Sequence, residues 1–443
     1  MNFEDGPENA ESKYVPGSDA DSGDIFLFPF TIDEDTINFI KEHGRIMFII
    51  RGPPGTGKDS LTNMLVDCYP ESQIFSADTY FSNTFSKGNR DKGSLVASHD
   101  YCQKKVQSAC IRGVHPIIVK NTHMKIAEVQ AYVNFGAEHR YTIIMAITTR
   151  KMKATPEILA MSNTKGLSVD YFRRRLKQWQ EVIPVNTGWF LNPDDSSYLL
   201  NQVQAHVDYL LGDGKFCRVF DVNDKGEILK NFSARKLLYC IAACGSKNQA
   251  SEIRSYYLSD KVKEQYGQCF PIVIQGYIFT KSYIAAVVHL NETMKSLHFI
   301  QESIPEFDDC LSSLMHSMNL NDNFMKHSST IDFDDLDFTS NGKTYEEDKS
   351  EEYENINVKS CSFIILCERN EVKEDAKQLM PGKLSTFFSK LLNEVADEDG
   401  MINFDSFGEL EDGFKYCRLS QDSWMVKPPI NLIFKTVFTG LYI

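Results

Sequence analysis

Residues Gly52-Pro53-Pro54-Gly55-Thr56-Gly57-Lys58-Asp59 read as a phosphate-binding loop in which a carboxylate takes the position where a Ser or Thr hydroxyl is expected. The run Ile46 to Ile50 before it is apolar, and Ser60-Leu61-Thr62-Asn63-Met64-Leu65-Val66 after it alternates like a helix with one buried face. This is the strand, loop and helix context that the motif requires. Glycines in such a loop let successive backbone N–H groups converge on phosphate oxygens, the helix N-terminus adds positive potential, and Lys58 reaches the outer phosphates. The expected cofactor-binding set is Gly52, Gly55, Thr56, Gly57, Lys58, Asp59 and Ser60, with ATP or GTP and Mg²⁺ as cofactors. The hydroxyl that Asp59 replaces normally ligates the magnesium ion. A carboxylate is a competent ligand for a hard cation, which makes Asp59 the candidate metal ligand, but without the metal its charge repels phosphate.

Outward from the loop, apolar runs at Arg45 to Arg51, Gln73 to Ala77, Pro116 to Lys120, Tyr141 to Thr148 and Phe216 to Val222 alternate with helical segments. That rhythm predicts a doubly wound parallel sheet with its ligand at the carboxyl ends of the strands, over residues 25–225. Asp221 to Glu227 reads as a linker or turn. Beyond it, the runs Lys236 to Cys244, Pro271 to Phe279, Tyr283 to Leu290, Ser362 to Cys367 and Leu432 to Tyr442, with few helices between them, predict an α+β domain over 228–443. An acidic stretch rich in Ser and Gly, residues 1–24, and a polar insertion at about 308–357 read as flexible. Within the insertion, Ile331 to Glu354 holds ten acidic residues and two lysines, a block that suits a solvated segment or a docking site for a basic protein partner.

A chain of 443 residues suits two domains, and 61 acidic against 47 basic residues argue against a broad nonspecific grip on nucleic acid while leaving room for a local basic cleft. Eleven cysteines with no paired spacing point to a reducing compartment, and zinc is not expected. The N-terminus lacks a basic or apolar leader and a Gly at position 2, and no apolar run reaches bilayer-spanning length, so a cytoplasmic protein is expected.

The second strand ends in Ser76-Ala77-Asp78-Thr79-Tyr80-Phe81. An acid at a strand's carboxyl end beside a phosphate loop can accept a proton from an attacking hydroxyl, so Asp78 is the candidate base; capping a helix is its structural alternative. After the third strand, Asn121 and Thr122 are candidates to orient phosphate or ribose, Lys120 is either an electrostatic group or a surface charge, and His123 alone is weak evidence. Tyr171-Phe172-Arg173-Arg174-Arg175 follows a cap at Ser168, and at most one or two of its arginines can face one ligand as a lid cation; a solvated helix face is the alternative.

Taken in order, the phosphate loop, Phe75-Ser76-Ala77-Asp78-Thr79-Tyr80, Asn121-Thr122, Gly166-Leu167-Ser168-Val169-Asp170 and Gly188-Trp189-Phe190-Leu191 resemble the 2',3'-cyclic-nucleotide 3'-phosphodiesterase (CNPase) family. That family's N-terminal half is similar to polynucleotide kinases that phosphorylate a 5'-hydroxyl. The resemblance continues to Val437-Phe438-Thr439-Gly440-Leu441-Tyr442. It implies an α/β P-loop domain with a parallel sheet, followed by an α+β two-histidine-phosphoesterase-like domain, in which two His-x-Thr motifs share a cleft. One imidazole would activate water and the other would protonate the leaving ribose oxygen, leaving a 2'-phosphate.

Here Tyr239 and Ile241 fall where the first His and Thr belong, and Ser362 and Ile364 where the second pair belongs. No His-x-Thr occurs anywhere in the chain, and the His-x-Ser at His327-Ser328-Ser329 lies in the polar insertion. A tyrosine with an ordinary pKa near 10 is a poor base at neutral pH, and isoleucine offers phosphate no donor. The family's prenylated C-terminal cysteine has no counterpart, the last cysteine being Cys417. The expected function is binding of nucleotide or RNA ends by a CNPase-like protein whose phosphodiesterase-like domain is inactive. The rivals are an active 2',3'-cyclic-nucleotide 3'-phosphodiesterase and an ATP-dependent 5'-hydroxyl polynucleotide kinase using Lys58, Asp78 and Asp59.

Overall fold

A computed structural model describes residues 27–83, 92–150, 154–163, 166–220, 230–244, 250–299, 330–332, 345–348, 355–370, 381–404, 408–409 and 413–442. The acidic N-terminal stretch, the expected linker at Asp221 to Glu227 and His327 lie outside the described residues.

Four apolar runs form the first sheet: β1 (Ile46–Arg51), β2 (Gln73–Phe75), β3 (Ile117–Lys120) and β4 (Thr142–Ile147), all parallel in the order β2-β3-β1-β4. Every residue of β1 and β4 is buried, as a central or covered parallel strand requires on both of its faces. The loop of interest leaves β1 and runs into helix Lys58–Cys68, which buries Leu61, Thr62 and Leu65 against the sheet. The parallel α/β expectation therefore holds for this part of the chain.

The fifth expected strand does not. Residues 214–220 form a helix, Gly214–Phe220, because Phe216 and Phe220 recur at helical spacing and bury one face against Trp424. The short run β5 (Asn186–Phe190) instead pairs antiparallel with strands from the second half of the chain. β5 thus belongs to the second sheet although it precedes residue 225.

The second half holds β6 (Phe232–Arg235), β7 (Tyr239–Cys244), β8 (Cys269–Thr280) and β9 (Tyr283–His289), then three short strands, β10 (Thr330–Asp332), β11 (Glu346–Asp348) and β12 (Ile356–Asn357). Next come β13 (Cys361–Arg369), β14 (Met401–Ile402), β15 (Gly408–Glu409), β16 (Lys415–Ser420), β17 (Ser423–Lys427) and β18 (Asn431–Leu441). The antiparallel pairings β13-β7, β7-β5, β5-β18, β18-β8, β8-β9 and β9-β13 close into a ring. From β8 an extension continues through β17, β16 and β15. Three described segments inside or at the end of the polar insertion are paired rather than loose: β10 lies on β6, β11 on β18 and β12 on β14.

One hydrophobic core runs through both sheets, containing Phe48, Ile50 and Leu61 from around the first and Trp189, Ile364 and Phe438 from the second. The outer edge of β4 is closed by the second half. Thr439 donates its hydroxyl to the Ile143 carbonyl at 2.7 Å, and the Met145 N–H donates to the Tyr266 hydroxyl at 3.0 Å. An open sheet edge would otherwise present these groups to another chain.

Candidate functional site

The candidate phosphate loop is built around positions only glycine satisfies. Gly55 and Gly57 have φ of 80° and 74°, the left-handed region that turns the backbone N–H groups inward. A Cβ at Gly52 would lie 2.0 Å from Thr148 Oγ1, so the packing against the end of β4 demands its absence. Thr56 is buried, its hydroxyl donating to the Pro53 carbonyl at 2.8 Å and accepting from Thr148 at 2.7 Å. Its side chain shapes the loop instead of facing a ligand.

Lys58 folds back over the loop, with Nζ 3.0 Å from the Gly52 carbonyl and 2.8 Å from that of Pro53. Both are acceptors that a bound phosphate would compete with for the ammonium. Asp59 and Ser60 are exposed on the first turn of the helix. Asp59 Oδ1 lies 2.5 Å from Nζ of Lys120. Lys120 ends β3 in register with Ile50 of β1, so the strand order itself delivers its ammonium to the loop.

Asp78 starts helix Asp78–Asn83, exposed at the carboxyl end of β2, with its own N–H donating to Ser76 Oγ at 3.2 Å. It stands where a base or a cap would. Asn121 turns away from any ligand: it is buried, its Oδ1 accepts from the Ala77 N–H at 2.9 Å and its Nδ2 approaches Cys102 Sγ. Thr122 contributes its carbonyl to the Gly52 N–H at 3.1 Å. His123 is buried with φ of 45°, and its Nδ1 meets the Ile50 carbonyl at 3.1 Å. Burial lowers its pKa to about 3, which keeps the ring neutral and structural.

Helix Pro156–Ser162 covers the loop, Ser162 Oγ donating to the Gly55 carbonyl at 2.9 Å. The arginine segment forms the adjacent helix, Val169–Leu176, capped by Ser168. Arg173 pairs with Asp170 and, at 3.7 Å, with Glu157; Arg175 donates to Gln178 at 2.8 Å; Arg174 is exposed. Arg173 and Arg175 are thus turned to neighbouring side chains, while Arg174 faces solvent.

In the barrel, Tyr239 and Ile241 share one buried face with Phe363 and Ile365, whereas Cys240, Ala242, Ile364 and Leu366 belong to the core on the other face. Ser362 Oγ donates to the Ile241 carbonyl at 2.8 Å and is fully buried. Tyr239 and Ser362 are therefore not brought together; the residues that face Tyr239 and Ile241 across the strands are Phe363 and Ile365. The Tyr239 hydroxyl accepts from Asn186 Nδ2 at 2.8 Å, its ring stacks on Phe190 at 4.6 Å, and burial pushes its pKa up to about 12. With Arg235, Leu237, Ile241 and Ile365 it lines a cleft too tight to hold a water molecule.

Sequence reasoning passed over Asn186, Thr148 and Ser162. The position of Thr148, at the carboxyl end of a parallel strand, was the signal available for it.

Among the described residues, no group of three or more His, Cys, Asp or Glu side chains gathers to hold a metal. No helix among them is long and apolar enough to cross a membrane.

Comparison with known proteins agrees with the ordered motifs. The chain is 24% identical over 277 residues to the 2',3'-cyclic-nucleotide 3'-phosphodiesterase of Rattus norvegicus, covering 60% of this chain and 64% of that protein. It is 24% identical over 285 residues to the protein of the same name in Pongo abelii, covering 61% and 66%. NEDD4-binding protein 2 of Homo sapiens is 29% identical over 144 residues, 32% of this chain and 8% of that one. The chain thus spans about 64% of the length of the phosphodiesterase it matches, as a divergent CNPase-like sequence. No protein-family profile matches it. A chain of the Pnkp1/Rnl/Hen1 RNA repair complex superposes with a TM-score of 0.26 at 13% identity, covering 31% of this chain and 44% of that one, a likeness too slight to carry an argument.

Proposed function

We propose that this CNPase-like protein binds a nucleotide or an RNA end at the phosphate loop, and that its barrel does not hydrolyse 2',3'-cyclic phosphates. The observation that carries the second statement is the state of Tyr239: buried, bonded to Asn186 and stacked on Phe190, it offers neither a titrating base nor access to water. Ile241, Phe363 and Ile365, which face it, carry no donor for phosphate, and the Arg235 guanidinium in the same cleft is paired with Glu368 at 3.8 Å. The loop reading is supported by the left-handed Gly55 and Gly57, the placement of Lys58 at the helix start, and Lys120 beside it.

Of the expected cofactors, ATP or GTP suits the loop, with Gly55, Gly57 and Lys58 as the groups that would hold phosphate. A magnesium ion at Asp59 would have to compete with the Lys120 ammonium, which the carboxylate holds at 2.5 Å. A kinase reading through Asp78 would need that metal, which makes it the weaker alternative.

The test is hydrolysis of 2',3'-cyclic AMP by the purified chain beside a CNPase, together with ATP binding by wild type and Lys58→Ala. No turnover, with ATP binding lost in Lys58→Ala, is expected. Turnover at the scale of the comparison enzyme would overturn the barrel assignment.

A further inference from the structure

Phosphate-loop proteins commonly hold Mg²⁺ between the loop hydroxyl and an acid from a neighbouring strand. In this chain both partners have exchanged character: the loop position is the acid Asp59, and the end of β3, which lies beside β1, is the base Lys120. The two side chains meet at 2.5 Å. We infer that Lys120 takes the place of the divalent cation, so that the loop holds a polyphosphate through Lys58 and Lys120 without Mg²⁺. The inference rests on the reading that the loop takes a nucleotide phosphate.

Charge argues for it. A divalent cation on Asp59 would have to share the carboxylate with an ammonium, and the like charges repel. The carboxylate alone would repel phosphate, whereas the pair is neutral. A lysine ammonium has three N–H donors. One serves Asp59, and the others are available to phosphoryl oxygens arriving at the helix start. Asp59 then acts as the tether that keeps the ammonium over the loop, with its own side chain 85% exposed and that of Lys120 only 26% exposed. Lys120 is thus assigned as a phosphate-binding residue and Asp59 as its positioning residue.

Titration calorimetry of the full chain with ATP, in EDTA and in millimolar MgCl₂, tests this. Wild type should bind equally in both within about threefold, while Lys120→Ala should lose at least about tenfold in EDTA, the size of one charge-assisted contact. Lys120→Gln provides the same comparison should the alanine variant fail to fold. The double exchange Asp59→Ser with Lys120→Asp should make binding depend on Mg²⁺. Wild-type binding tightened tenfold or more by Mg²⁺ would overturn the inference and leave the phosphate-binding reading standing, and so would Mg²⁺-free binding indifferent to Lys120. Absence of ATP binding under both conditions, or binding untouched by Lys58→Ala, would overturn the phosphate-binding reading itself and the inference with it.

Discussion

Tyr239 and Ser362 sit on opposite faces of the barrel wall, the first stacked on Phe190 and the second hydrogen-bonded to the Ile241 carbonyl. Two imidazoles placed at these positions would open onto different cores. The combined substitution Tyr239→His, Ile241→Thr, Ser362→His and Ile364→Thr is therefore expected to yield no hydrolysis of 2',3'-cyclic AMP. An assay showing turnover in that variant would mean that the two faces exchange.

Tyr239→Phe removes the acceptor of the buried Asn186 amide. The expected cost is about 1–3 kcal/mol of stability, with ATP affinity unchanged. Urea unfolding and calorimetry on the same preparation check both halves of this expectation. A parallel loss of ATP affinity would tie the barrel to the loop.

Gly52→Ala places a methyl group 2.0 Å from Thr148 Oγ1 and 2.6 Å from Thr56 Oγ1. The loop must shift to relieve it, at about 1–3 kcal/mol. We expect a lowered melting temperature together with weakened ATP binding, since the same backbone forms the phosphate cradle. A variant with intact stability and affinity would show that the loop does not bear on Thr148.

Stability should fall as the solution is acidified. Burial lowers the pKa of His115 and His298 from 6.5 to about 4, and of His123 and His206 from 6.5 to about 3. The unfolded chain takes up these protons first, so the folded state loses ground as pH drops from about 6.5 toward 3. Asp195 opposes them: burial raises its pKa from 3.8 to about 7, so its contribution is unfavourable above that range and fades as pH falls. Thermal melts should thus show Asp195→Asn to be stabilising at pH 8 and nearly neutral at pH 4. A variant that is equally displaced at both values would count against burial as the cause.

The parallel sheet was legible because a strand covered on both faces must be apolar throughout, as Ile46 to Ile50 is. The same criterion misread the start of the expected strand Phe216 to Val222, where Phe216 and Phe220 are four apart and belong to a helix. It also passed over β5, whose Asn186, Thr187 and Gly188 dilute the apolar signal although all of its residues are buried by strands far along the chain. The segments around Tyr239 and Ser362 were legible as strands, but not the face each side chain takes. That depends on register, and β13 changes register between Ile365 and Cys367 against β9. The exchange between Asp59 and Lys120 was half visible: the carboxylate stands out in the loop, while its partner is 61 residues away and is delivered by strand order alone.

The closure of β4 by Thr439 and Tyr266 bears on how such a chain can change over generations. Whatever chemistry the barrel performs, it shields the half that carries the glycine-rich loop from sticking to its neighbours, and a truncation that discarded it would expose that seam along with much of the common core. Selection on folding alone would then be enough to preserve the barrel's buried residues.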